Sequence, residues 1–337
     1  MKSQTCEDTA AVAPDRGGQA QRAKPFAVAA LALAVLYGAL RIYWQFTGRP
    51  EELSARGDDL IGFTAWGAIG LCALAALVAC SLATLRLTGG TRNALLVLAV
   101  AISVALLGAS AMLLLDVVGG ILPGLEIPFY PLGALSRAAA AGTAVLLALA
   151  ALAYRRATVS GCPACGRNSS TDPAGIPSWA YWAAYLSVAG CLVRIGAQLV
   201  VGLGETPLGN GFSVVLFEVG FVLGGTLLPL ALVHSWGRIW PRWVPALAGR
   251  RVPRWLVLGP GIGIAGGLVV YFGLMLLMMV AERLRGRDPF PPSGELVLPE
   301  AFFWVSVPAY LLWGLGLAGA ALAYQRRTRP SCVTCGA

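Results

Sequence analysis

Eight long apolar stretches, near 26–47, 60–85, 94–120, 131–154, 179–203, 211–233, 255–281 and 301–324, decide what this chain can fold into. A helix needs about 20 mainly apolar residues to cross a hydrocarbon core of about 30 Å, and each stretch meets that length. They are too continuous for amphipathic helices on a soluble core, and too long and unalternating for outer-membrane strands. Inside lipid every backbone amide needs a partner within its own segment, which leaves an α-helical bundle. Composition agrees: 57% of the 337 residues are apolar, 12% are charged, and mean hydropathy is +0.72. An ordinary soluble domain carries about a quarter charged residues, so secreted mini-proteins, disordered chains, coiled coils and soluble nucleic-acid-binding domains are excluded. The expected fold is an all-α membrane protein with eight transmembrane helices.

The formal charge of +9 sits in short clusters between the apolar runs. Lys2, Arg16, Arg22 and Lys24 precede the first run. Arg86 and Arg92, then Arg155, Arg156 and Arg167, then Arg238, Arg242, Arg250, Arg251 and Arg254, and finally Arg326, Arg327 and Arg329 fall on the same side. On the other side Arg49, Arg56, Arg283, Arg285 and Arg287 are matched by Glu51, Glu52, Asp58, Asp59, Glu282, Asp288, Glu295 and Glu300. The positive-inside rule then puts both termini in the cytoplasm. Residues 1–25 form a polar arm, expected to be disordered, without a clear cleavage site, so the first run reads as an uncleaved anchor. Lysine occurs only at Lys2 and Lys24 beside abundant Arg, Ala, Gly and Leu. That usage suits a high-GC bacterium, and a helical bundle there belongs to the plasma membrane.

An internal duplication is visible. ALAYRRATVSGCPACGR at 151–167 and ALAYQRRTRPSCVTCGA at 321–337 align at a constant offset of 170. An R-I-x-x-Q element recurs at Arg41 to Gln45 and Arg194 to Gln198. The chain therefore reads as a first four-helix repeat at 26–167, a linker at 168–178 and a second four-helix repeat at 179–337. Four spans per copy is an even number, so the copies run in parallel about an axis along the membrane normal.

Each copy ends in a Cys-x-x-Cys-Gly turn, Cys162 with Cys165 and Cys332 with Cys335. Such a knuckle supplies two thiolates to one metal, so two copies meeting at one face would complete a four-thiolate zinc site. The reducing cytoplasm suits thiolates. A redox pair tuned by nearby arginines and tails without a role are the alternatives.

Ionisable groups at membrane depth are costly and are candidate functional residues. Arg194 is expected about ten residues, roughly 15 Å, from the outer end of its span, paired with Glu218. Arg41 is expected to look to Asp116, with Arg137 in the same layer. Arg41, Gln45, Asp116, Arg137, Arg194, Gln198 and Glu218 would then form a polar layer able to hold an anion or relay a proton. The competing interpretation is structural pairing that fixes helix register.

No metalloprotease, Walker, Ser-His or paired intramembrane Asp motif is present, and the G-x-G-x-x-G at Gly261 to Gly266 lies inside a span with no strand before it. Enzymatic activity is not expected. His234, the lone histidine, reads as a helix-end residue. The stretch WGRIWPRWVPALAGRRVPRW at 236–255 places indoles and guanidiniums where anionic lipid headgroups would lie. It resembles a segment of uncharacterised multi-pass membrane proteins of high-GC Gram-positive bacteria, a resemblance that implies no particular activity. Two roles remain. One is small-solute or ion transport or binding in the polar layer. The other is a membrane-embedded sensor or assembly scaffold with a cytoplasmic zinc clasp.

Overall fold

The computed structural model describes residues 16–48, 50, 53, 65–122, 124–125, 127–158, 176–202, 212–240, 242, 248–289 and 298–328. The described chain is helical, apart from turns and an isolated antiparallel bridge between Ile239 and Arg251. Its helices are α1 Arg16–Thr47, α2 Ala65–Thr84, α3 Gly89–Ala109, α4 Leu113–Ile121, α5 Pro131–Thr158, α6 Ser178–Val201, α7 Phe212–Val222, α8 Leu228–Val233, α9 Arg254–Leu284 and α10 Glu300–Arg327. Among the described residues eight spans are long and apolar enough to cross a membrane, with α7 and α8 forming one of them. The chain is a multi-pass, membrane-spanning helical protein.

Three helices differ from their expected form. The first begins at Arg16, so the end of the polar arm continues α1, where Ala, Gln and Arg are all good helix formers. The third does not run unbroken to 120. Ser110 closes α3 by donating its backbone N–H to Leu106 and Leu107 and its hydroxyl to Leu107 at 2.8 Å, and the chain restarts as α4. The sixth passes through a π turn at Leu223–Leu227. Pro229 has no N–H for the Gly225 carbonyl one turn earlier, and a widened turn absorbs that defect. Thr226 donates its hydroxyl to the Val222 carbonyl at 2.6 Å.

Two cores organise the bundle. Ala27, Ala30, Ala34, Ala75, Val78, Leu106, Leu147, Ala150 and Tyr154 belong to the first, built from α1, α2, α3 and α5. Ala180, Ala184, Cys191, Leu232, Leu258, Leu317, Ala320 and Tyr324 belong to the second, built from α6, α8, α9 and α10. In each, the first span packs on the second and the last, and the third packs on the last. The cores touch where α3 and α4 meet α9, and a Cβ on Gly267 would come within 2.9 Å of Leu114. The α6–α10 contact is the tightest, because Gly190 and Gly316 let backbones meet. A Cβ on Gly190 would lie 2.6 Å from the Ala309 carbonyl oxygen, and one on Gly316 would lie 2.5 Å from that of Ala183. Small residues of this kind give helices in lipid their close approach.

The end at which α5 and α10 finish is called the tail end here, and the opposite one the far end. At the tail end Tyr154 accepts the Leu87 N–H at 2.8 Å, and Tyr324 donates to the Gly237 carbonyl at 3.5 Å. Each buried tyrosine thus ties the last span of its half to the connection between the second and third. Thr158 and Thr328 donate back to the carbonyls of Tyr154 and Tyr324 at 2.9 and 2.7 Å. At the far end Arg283 of α9 pairs with Glu300 of α10, Trp304 donates to the same carboxylate at 2.7 Å, and Glu282 holds Arg285 and Arg287.

Candidate functional site

Of the seven residues of the expected polar layer, Asp116 and Arg137 form a closed pair and Arg194 is an open cation. Asp116 is presented by α4, and the break at 110–112 sets that short helix on its own path. Arg137 comes from α5. Its Nε lies 2.5 Å from Asp116 Oδ2 and its Nη2 lies 2.8 Å from Oδ1, so the carboxylate is gripped by a planar fork. Nη2 also donates to the Leu53 carbonyl at 3.1 Å. Gly133 makes room for that carbonyl, since a Cβ there would fall 1.9 Å from it. Both members of the pair are buried. Asp116, expected to answer Arg41, is therefore held by Arg137. The fork fits because Arg137 lies one and a half turns into α5, beside the descending α4.

Arg41 is buried on α1. Its Nε donates to the Tyr37 hydroxyl at 3.0 Å, and its guanidinium lies over the rings of Tyr37 and Trp44, 5.3 and 5.9 Å from their centroids. Gln45, one turn on, is half-buried.

Arg194 is the open cation. The Arg194 to Glu218 ion pair is not formed: Glu218 is exposed on α7, a helix with no buried residue. Arg194 turns to α10 instead. Its Nε donates to the Tyr310 hydroxyl at 3.0 Å, and its guanidinium sits between the rings of Phe302 and Tyr310, 5.1 and 5.4 Å from their centroids. Phe302, Ser306, Tyr310 and Trp313 fall at helical spacing on one stripe of α10. Ser306 therefore occupies the turn between the two rings that flank the guanidinium. Phe221 of α7 and Phe272 of α9 complete the wall, with Phe272 stacked on Tyr310 at 4.0 Å and Phe221 edge-on to Trp313 at 4.8 Å.

The open site has three features that bear on chemistry. Among the described residues no carboxylate pairs with Arg194. The Ser306 hydroxyl and the Trp313 indole N–H on the same stripe are buried without a hydrogen-bond partner, as is the Ser187 hydroxyl on α6. And α6 ends at Val201, so Arg194 lies about 10 Å from its far end, shallower than expected. Gln198, one turn on, donates to the Gly202 carbonyl at 2.9 Å, closing its own helix end where Gly202 adopts φ 114°.

The aromatic stripe of α10 was missed from sequence. Its signal is the spacing of four, four and three from Phe302 through Ser306 and Tyr310 to Trp313. Cys162, Cys165, Cys332 and Cys335 lie outside the described residues. Among the described ones no group of His, Cys, Asp or Glu is placed to hold a metal ion. Comparison with protein-family models, with curated proteins and with solved structures finds no match for this chain.

Proposed function

We propose that this is a plasma-membrane protein that binds, and by extension transports, a small anion at Arg194. One observation carries this: a half-buried guanidinium within the membrane-spanning region lies against the rings of Phe302 and Tyr310, on a stripe of α10 that also bears the unpartnered Ser306 hydroxyl and Trp313 indole N–H, and among the described residues no carboxylate pairs with it. A half-buried charge without a counter-charge keeps part of its desolvation cost, and cation–π contact, worth about 0.5–2 kcal/mol, offsets part of that. An anion accepting hydrogen bonds from Arg194, Ser306 and Trp313 would supply a counter-charge. The role is one of binding rather than catalysis. The test is thermal unfolding and tryptophan fluorescence of purified protein titrated with halides, nitrate and small carboxylates. A saturable response lost in Arg194→Gln and kept in Arg41→Gln supports the assignment. No response to any anion, or the same response in both variants, overturns it.

The surrounding architecture is a parallel four-plus-four repeat with both termini cytoplasmic. Support for the repeat comes from reciprocal packing at an offset of 153, the offset that relates Arg41 to Arg194. Gly38 of α1 sits against Cys72 of α2, where a Cβ would be 3.2 Å from the cysteine Cβ. Cys191 of α6 sits against Gly225, where a Cβ would be 2.2 Å from the sulfur. The small and larger partners have exchanged helices. At the offset of 170, Leu147 with Leu317, Ala150 with Ala320 and Tyr154 with Tyr324 are identical pairs, all buried.

A second role, a zinc clasp at the tail end that serves a sensor or scaffold, is favoured by the helix ends. The hydroxyls of Thr158 and Thr328 close α5 and α10 in the same way, and each is followed four residues later by the first cysteine of a knuckle. Metal content by mass spectrometry tests it. About one zinc per chain, lost on Cys162→Ser with Cys165→Ser, supports a single tetrahedral site, and metal-free protein overturns it.

A further inference from the structure

A second cationic centre lies at the tail end of the second half, away from Arg194. Tyr324 of α10 bonds to the Gly237 carbonyl, which brings the adjacent Arg238 over the end of α10. The Arg238 carbonyl accepts the Val252 N–H at 2.8 Å, so Arg254 opens α9 beside it. Arg254 in turn donates from Nη2 to the Gln325 carbonyl at 3.4 Å, and Arg327 is the last residue of that same helix. Arg238, Arg254 and Arg327 all act electrostatically on the Tyr324 hydroxyl, and Arg238 acts on Arg327.

Like charges brought to one helix end repel one another, and among the described residues no carboxylate is paired with any of the three. The sequence has no Asp or Glu between 219 and 281, or after Glu300. Their donors are also unspent: Arg254 Nε and both Nε and Nη2 of Arg327 are buried without a hydrogen-bond partner. Buried donors left unpaired cost free energy that a bound acceptor would return. Neighbouring guanidiniums with unspent donors are the donor set that fits a phosphate, whose several oxygens accept them pairwise. The level is that of headgroups: Trp236 and Trp255 flank the cluster and are 39% and 66% exposed, and the Arg254 guanidinium lies over the Trp255 ring at 5.6 Å. Indoles so placed mark the membrane interface.

We propose that Arg238, Arg254 and Arg327 form a phosphate-binding site at the tail end, occupied by the headgroup phosphate of an anionic phospholipid. The site is built and independent of the Arg194 assignment. It narrows the stretch 236–255, expected to meet lipid headgroups, to Arg238 and Arg254 and adds to them a residue from the C-terminal end of α10.

The experiment uses full-length protein delipidated in detergent and titrated with phosphatidylglycerol, phosphatidylcholine or inorganic phosphate, read by native mass spectrometry and thermal unfolding. Phosphatidylglycerol is expected to remain bound and raise Tm. Arg254→Gln with Arg327→Gln should weaken it about tenfold or more, the loss expected for charge-assisted forks. Arg250→Gln with Arg326→Gln removes as much charge from exposed positions and should leave affinity unchanged. Equal phosphatidylglycerol affinity in wild type and the Arg254, Arg327 variant overturns the site. Inorganic phosphate that reproduces the Tm shift with the same dependence on Arg327, while phosphatidylglycerol fails to bind, keeps the phosphate site and overturns its lipid occupant. If the double variant does not fold, Arg327→Lys decides: affinity at least about threefold weaker supports the fork geometry, and unchanged affinity overturns it.

Discussion

Arg137 and Arg194 show two ways for a cation to exist inside a membrane. Arg137 gives Asp116 its Nε and Nη2 and also donates from Nη2 to the Leu53 carbonyl, so removing either member breaks a buried charge-assisted fork. Asp116→Asn should cost up to about 3–5 kcal/mol, the upper range for breaking a buried ion pair, read as a fall in unfolding midpoint in detergent. Glu218→Gln, by contrast, should shift stability by less than about 0.5 kcal/mol, as expected of an exposed site without partners, whereas an ion pair with Arg194 would make it cost several times that. Sequence identified the charged residues at depth because hydropathy alone isolates them. It misassigned their partners, because partner choice depends on helix rotation: Glu218 and Arg194 have similar depth, but α7 turns its carboxylate outward. An aromatic acceptor such as Tyr310 carries no charge to advertise itself in a search for ion pairs.

At the scale of helices, the informative places are where a span departs from a regular rod. Span length was legible to within a few residues, since apolar runs end where charge or Pro begins. The break at 110–112 and the π turn at Leu223–Leu227 were not, because a Ser, a Gly pair and a Pro within hydrophobic sequence leave the hydropathy profile unchanged. The π turn presses Gly225 onto Cys191. Gly225→Ala should therefore destabilise by about 1–3 kcal/mol through overpacking. Adding Cys191→Gly should recover part of that loss, so that the pair is non-additive in thermal unfolding. Additive effects would mean that the two helices do not meet there.

For the whole molecule, the two cores and their narrow contact along α3, α4 and α9 predict separable unfolding. Leu147→Ala and Leu317→Ala each empty a fully buried site and should each cost about 2–5 kcal/mol. The first should lower one transition and the second another, with additive effects in the double variant, as resolved by calorimetry or proteolysis. A single transition lowered equally by both would indicate one cooperative unit. Orientation is checked by fusions: a fluorescent protein after residue 337 should fluoresce in the cytoplasm, and alkaline phosphatase inserted at 290–297 should be active outside, the reverse result inverting the assignment.

Between Tyr310 and Tyr324, α10 runs about 20 Å through closely packed Leu317, Ala320 and Ala321, with Gly316 locking it to α6. An ion lodged at Arg194 in this conformation would have solid protein beneath it and the far end above it. On the proposed assignment only one of the two compartments divided by the bilayer could load such a site, so its occupancy would be vectorial and would report that compartment's composition alone. Passage to the other side would require α6 and α10 to part at the glycines where their backbones touch. Flux through the molecule would then be set by how often that zipper opens, and its dwell time when shut would be the protein's memory of what it last bound.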